Sequence, residues 1–197
     1  MIYIQKNEEP KWLSLYKKNN PTATYDTESF NSLKNELRKE LLKEQHYLCA
    51  YCCSSIGIAN SHNEHIEPRN PKDGISRKSL AYSNIIASCN NTNTCGRRKK
   101  NEYDFEKFVS PLNPKCEDIF TYYPDGIVEG DQYTIDLLNL NAYELREARK
   151  AVYRTIMALD LDIETIELIY SKNNEQLPPY YNVIKWFIKV RRGKLSD

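Results

Sequence analysis

The sequence predicts an α+β chain, mostly helical: a two-stranded ribbon and helix stapled by cysteines, preceded by one helix and followed by a helical lobe. Three observations predict it. Cys49, Cys52, Cys89 and Cys95 form two pairs that bracket the stretch Glu64-His65-Ile66-Glu67-Pro68. Apolar residues recur at three- and four-residue spacing before that cluster and again after residue 131, the mark of helices with one buried face. Between the cysteine pairs lie two short apolar runs, around His65-Ile66 and from Tyr82 to Ala87, which suit a ribbon of two strands.

Each element has its own signal. Residues 1–25 read as polar and irregular, punctuated by Pro10 and Pro21. A helix is expected from Asp26, with Asp26 or Thr27 as cap and Phe30, Leu33, Leu37 and Leu41 as its apolar stripe, running to about Gln45. The ribbon follows, with the turn-rich Asn70-Pro71-Lys72-Asp73-Gly74 in its connection. Lys99 to Val109 reads as a helix with Tyr103, Phe105 and Phe108 available to pack, ended by Ser110-Pro111-Leu112-Asn113-Pro114. Phe120 to Tyr123 and Gly126 to Val128 can pair as a hairpin across Pro124-Asp125-Gly126. Beyond Asp131 the pattern is helical: a segment opening at Leu140-Asn141 with Leu145, Val152, Ile156 and Leu159, then Glu164 to Tyr170 and Tyr181 to Val190. The chain thus divides into residues 1–25, 26–110 and 111–197.

Composition narrows the class. With 197 residues, 40% hydrophobic and 28% charged, this is an ordinary soluble globular composition. No apolar run approaches the ~20 residues needed to cross a bilayer. Met1-Ile2-Tyr3-Ile4-Gln5-Lys6 carries no secretory signal core, so a cytoplasmic location is expected, without membrane association. A net charge of +1 does not announce a nucleic-acid binder, but the distribution is uneven. Arg97 to Lys100 form one basic block, and Lys185, Lys189, Arg191, Arg192 and Lys194 another. Between them, Lys115 to Leu168 holds 12 acidic against 5 basic residues, a solvated face or a face for a protein partner.

Six cysteines in a chain expected in a reducing compartment favour metal over disulfides. Cys49-Ala50-Tyr51-Cys52 has the spacing that turns two thiolates onto one tetrahedral zinc, and Cys89 and Cys95 supply a second, longer knuckle. Four thiolates leave no open position, so such a zinc is structural. The alternative is a set of small apolar residues or a redox pair. Cys52 is preferred to its neighbour Cys53 as ligand, and Cys116 reads as a plain thiol. Of three histidines, His46 ends a predicted helix and His62 falls in a polar loop. His65 stands in a probable strand, where a neutral imidazole can take a proton from water. Glu64, a hard oxygen donor, suits Mg²⁺ or Mn²⁺.

Together, Cys49-x-x-Cys52, Glu64-His65-Ile66-x-Pro68, Tyr82-Ser83-Asn84-Ile85-Ile86-x-x-Cys89 and Cys95-Gly96-x-x-Lys99-Lys100 resemble the HNH endonuclease family in its four-cysteine ββα-metal form, over roughly residues 45–108. Ser110-Pro111-Leu112-Asn113-Pro114, Asp125-Gly126-Ile127 and Ile135 to Leu145 look like the HNH nuclease subunit of Septu-type anti-phage systems, also found with some retrons. The resemblance implies a DNA endonuclease acting in anti-phage defence. His65 would be its general base, Glu64 a ligand of the catalytic Mg²⁺ or Mn²⁺, and Asn84 the residue tying the strands together. The four cysteines would hold structural Zn²⁺, and Arg97, Arg98, Lys99 and Lys100 would contact phosphates.

The resemblance also implies partners: DNA, an ATPase subunit of the Septu type, and a retron reverse transcriptase with its nucleic acid. Residues 1–25 would be a partner-docking segment, 26–110 the nuclease core and 111–197 the helical lobe. One position departs from the family pattern. Gly96 stands where a His or Asn metal ligand follows the last cysteine, and its role would fall to Asn101, Asn93 or water. That departure sustains an alternative: a catalytically inactive, zinc-dependent adaptor for nucleic acid or protein.

Overall fold

The computed structural model describes residues 1–70, 74, 78–170 and 175–195. Residues 71–73 of the expected turn and the side chain of Lys194 lie outside them. Among the described residues, eight α-helices and two small antiparallel sheets make a mixed α and β chain in which helix outweighs strand. In chain order these are α1 (Lys11–Asn19), α2 (Lys34–Glu44), β1 (Ser61–His65), β2 (Ile85–Cys89), α3 (Cys95–Lys99), α4 (Cys116–Ile119), β3 (Thr121–Tyr122), β4 (Val128–Glu129), α5 (Gln132–Leu138), α6 (Tyr143–Leu159), α7 (Ile163–Tyr170) and α8 (Tyr181–Leu195).

The apolar stripe of the first expected helix is real, but the helix is shorter. Phe30, Leu37 and Leu41 are fully buried, yet Glu28–Leu33 winds as a tighter 3₁₀ turn and α2 starts only at Lys34. Thr27 precedes that turn without capping it, because its hydroxyl accepts from the Thr24 amide at 2.8 Å instead. The stretch read as irregular contains α1, entered from Pro10, with Leu13 fully buried.

The expected docking segment is stitched into the interior at its start. Met1, Ile2 and Ile4 are buried, and the Ile4 amide donates to the Pro111 carbonyl at 2.9 Å. Lys6 reaches both Glu44 and the Ile85 carbonyl. One buried apolar cluster includes Ile4, Leu37, Ile85, Cys116, Leu138 and Val183, so it runs through all three stretches of the chain.

β1 and β2 pair antiparallel, Ser61 opposite Cys89 and His65 opposite Ile85, as the two apolar runs predict. The helix expected over 99–109 is instead the five-residue α3, ending at Lys99. Lys100 breaks it with φ 51° and ψ −124°, and Asp104 then caps its own turn by accepting from the Glu106 amide. Phe108 is buried while Phe105 stays exposed.

The second hairpin has the expected turn. Gly126 takes φ +83°, and its carbonyl accepts from the buried Arg149 side chain at 2.7 Å. A Cβ there would sit 2.0 Å from the Arg146 carbonyl oxygen. Gly126→Ala is therefore expected to cost about 3 kcal/mol or more, from a forced left-handed alanine and a backbone clash. Gly193→Ala, in an open stretch of α8, should be neutral or stabilising by about 0.5 kcal/mol. Denaturant midpoints of the two variants check both.

The acidic lobe and the C-terminal basic block neutralise one another. Lys185 pairs with Glu117, Lys189 with Asp118 at 2.7 Å, and Arg192 with Glu167. Much of the second basic block is thereby an internal clasp of α8 onto α4 and α7.

Candidate metal centre and active site

The chain leaves α2 through a tight knuckle. The Cys53 amide donates to the Cys49 carbonyl at 2.9 Å and the Cys49 amide to the Ser54 carbonyl at 2.9 Å. Cys53 takes φ 62° to close this turn. Buried Gln45 joins the knuckle to β2, its amide nitrogen donating to the Leu48 and Ala87 carbonyls and its oxygen accepting from the Ala87 amide. β2 then ends at Cys89, and Cys95 opens α3.

This brings Cys49, Cys52, Cys89 and Cys95 together, their sulfurs all within 4.8 Å of one another. The Cys89 amide donates to the Cys49 sulfur at 3.3 Å. Burial opposes ionisation of Cys49, but hydrogen bonds from the other three thiols hold it well below the ordinary thiol range. The same bonding to Cys49 pushes Cys52 and Cys95 well above it. Four crowded thiols sharing protons are a donor set that one soft divalent cation can take over, and the cluster fits a four-thiolate zinc site. Cys53 lies in a separate apolar cluster with Ile2, Leu48 and Ile184, whereas Cys52 stands among the four clustered thiols. Cys116 is a buried core thiol, pushed up to about 12 by burial.

Beside the cysteines, β1 alternates its side chains. His62 and Glu64 face α3, and His65 faces the opposite side, toward Tyr25 and Ser79. Glu64 is buried and held at both oxygens. Lys99 Nζ lies 3.0 Å from Oε1, the Tyr51 hydroxyl donates to Oε1 at 3.4 Å, and His62 Nε2 lies 3.4 Å from Oε2. Burial would raise this carboxyl, but His62 and Lys99 outweigh it and keep it below the usual carboxylate range. Gly96 packs directly beneath. A Cβ there would come within 2.7 Å of Glu64 and 2.9 Å of His62 Nε2.

Lys99 departs from the expected phosphate contact. It is fully buried, and its ammonium donates to the carbonyls of His65 at 3.0 Å and Ile66 at 3.1 Å while pairing with Glu64. A helix of only five residues turns this side chain inward over the end of β1. Arg97, Arg98 and Lys100 are exposed on the same short helix and its exit.

His65 is buried where β1 ends. Its Nε2–H donates to the Ser79 carbonyl at 2.9 Å, and Tyr25 packs edge-on against the ring at 4.7 Å. Burial lowers its pKa from the ordinary histidine value, so the ring is neutral near pH 7 with its lone pair on Nδ1. Asn84 clamps the strand beyond it. The Asn84 oxygen accepts from the Glu67 amide at 2.9 Å, its nitrogen donates to the Glu67 carbonyl at 3.0 Å, and its own carbonyl accepts from the Ile66 amide at 3.0 Å. Arg69 and Lys34 flank Tyr25, adding positive charge to this face that the sequence reading missed. His62 was missed for a simpler reason: the strand begins at Ser61 rather than near His65, which makes His62 the same-face neighbour of Glu64.

No protein-family model matches the sequence. The chain is 29% identical over 179 residues to the "Retron Vc95 putative HNH endonuclease" of Vibrio cholerae serotype O1 biovar El Tor, covering 81% of this chain and 86% of that protein. It is 31% identical over 132 residues to the "Retron Ec83 putative HNH endonuclease" of Escherichia coli, covering 64% of this chain and 48% of that protein, so the match spans about half of that relative. The chain is homologous to both. No described helix is long and apolar enough to cross a membrane.

Proposed function

We propose that this chain is a metal-dependent HNH endonuclease that hydrolyses phosphodiester bonds of DNA, with β1, β2 and α3 as a ββα-metal core stapled by structural zinc. The observation that carries the reading is His65: a neutral imidazole oriented through Nε2 by a backbone carbonyl, leaving Nδ1 to accept a proton, one residue from an ionised carboxylate. That is the arrangement a general base needs. The homologues' names support the same chemistry.

In this reading His65 takes the proton of the attacking water at Nδ1. Asn84 fixes the backbone that carries the base, and Lys99 holds the carbonyls of residues 65 and 66 in place. Glu64 would hold a catalytic Mg²⁺ or Mn²⁺, which supplies charge stabilisation for the transition state and the leaving oxygen. Arg97, Arg98 and Lys100 would follow the phosphate backbone.

The retron names of the homologues support a place beside a reverse transcriptase and its nucleic acid in anti-phage defence, and the resemblance adds a Septu-type ATPase as partner. A second reading, the inactive zinc adaptor, draws on Gly96, which offers no ligand. The test offers labelled single- and double-stranded DNA and RNA to the purified protein, alone and with its partners, in Mg²⁺ or Mn²⁺. Cleaved DNA is expected; no cleavage of any substrate overturns the nuclease reading and leaves the adaptor.

A further inference from the structure

The family pattern puts a metal ligand at position 96, where this chain has glycine, and nothing so far supplies it. The geometry points to His62: we propose that His62 Nε2 and Glu64 Oε2 together bind the catalytic divalent cation, on the face of β1 that packs against Gly96. This rests on the nuclease reading for the cation's purpose, though not for its binding.

Three observations converge. The first is the state of the imidazole. His62 Nδ1 lies 3.1 Å from Asn90 Oδ1. The orientation of that amide is fixed, because Asn90 Nδ2 donates to the Ser61 carbonyl at 3.3 Å and Arg97 donates to Oδ1 at 3.4 Å. Asn90 Oδ1 accepts from Nδ1–H, which leaves Nε2 as the nitrogen that faces Glu64. Nε2 and the carboxylate oxygen Oε2 lie 3.4 Å apart, an ion-pair geometry in which a divalent cation can take the place of the shared proton. Metal-bound histidines show this same backing, the far nitrogen donating to an oxygen that fixes tautomer and ring plane.

The second observation is the division of labour at Glu64. Oε1 takes Lys99 and Tyr51, whereas Oε2 is turned to His62. A ligating carboxylate anchored through its other oxygen is the usual outer-shell arrangement. Two ligands of one cation stand about 3 Å apart, close to the separation here.

The third is Gly96. Any side chain at this position would press on both Glu64 and His62. The glycine that removes the family's ligand is thus also what lets β1 supply a replacement from its own face, two residues before Glu64. One nitrogen and one carboxylate oxygen, with water completing the shell, favour Mn²⁺ over Mg²⁺, since imidazole is a poor partner for the harder ion.

The test is Mn²⁺ binding to zinc-loaded protein, followed by the loss of the free-ion electron paramagnetic resonance signal, with electron spin-echo modulation to detect a coordinated imidazole nitrogen. Wild type and His65→Ala are each expected to bind one Mn²⁺ with a nitrogen coupling. His62→Ala should bind at least ten-fold more weakly and lose that coupling, and Glu64→Gln should also bind more weakly. Zinc content and circular dichroism establish that the variants are folded, and His62→Gln serves if His62→Ala is not. No Mn²⁺ site in wild type, or unchanged affinity and nitrogen coupling in the His62 variants, overturns the proposal. Binding that depends on His62 in a protein that cleaves nothing upholds this site and sinks the nuclease reading instead.

Discussion

Treating the protein with a zinc chelator, or replacing Cys95 by serine, is expected to unfold the ribbon and with it the cooperative structure of the chain. The cluster ties together three pieces of chain: the 49–53 knuckle, the end of β2 and the start of α3. Structural zinc in small domains is worth about 10–16 kcal/mol. A whole domain is stable by only about 5–15 kcal/mol, so zinc held here would be worth as much as the whole margin. Cys95→Ser should lose its cooperative thermal transition, and a chelator should do the same to wild type. Elemental analysis should return close to one zinc per chain. A chelated protein that melts within a few degrees of wild type, or a zinc content near zero, would contradict the assignment.

The second large effect is expected at Lys99. Lys99→Met removes the cation from a buried Glu64 and strips a donor from two buried carbonyls. Breaking one side of a buried ion pair costs about 3–5 kcal/mol, because the remaining charge is left unpaired. In a chain of this size the melting temperature should fall on the order of 10 °C. A double variant, Lys99→Met with Glu64→Gln, should recover part of that loss, since no charge is left alone. Were Lys99 an exposed phosphate contact, the single substitution would leave stability unchanged and weaken only nucleic-acid binding. Thermal melts of the three proteins separate the two roles.

What the sequence revealed depended on how local the cause was. The cysteine spacing, the turn at Pro124-Asp125-Gly126 and the apolar stripes of α6 and α8 are short-range signals, and each led to the right element. The limits of α2 and α3 were not legible. Glu28–Leu33 winds as a 3₁₀ turn before α2, and Lys100 leaves the helical region at the end of α3. The burial of Met1, Ile2 and Ile4 depends on residues more than a hundred positions away, so no pattern within 1–25 could announce it. At the site, His65, Glu64 and Asn84 were visible because they sit in a motif. Ser79, Tyr25 and Gln45 were not, because they act on the site from other elements of the fold.

The most direct measurement compares cleavage of a labelled DNA by wild type and His65→Ala in Mn²⁺, using preparations of equal zinc content and matching circular dichroism. The substitution should leave the backbone in place, since Asn84 and Lys99 hold it without the imidazole. Loss of a general base predicts a rate lower by about 10²–10⁴-fold. Equal rates from the two proteins, or no product from wild type, would contradict the account.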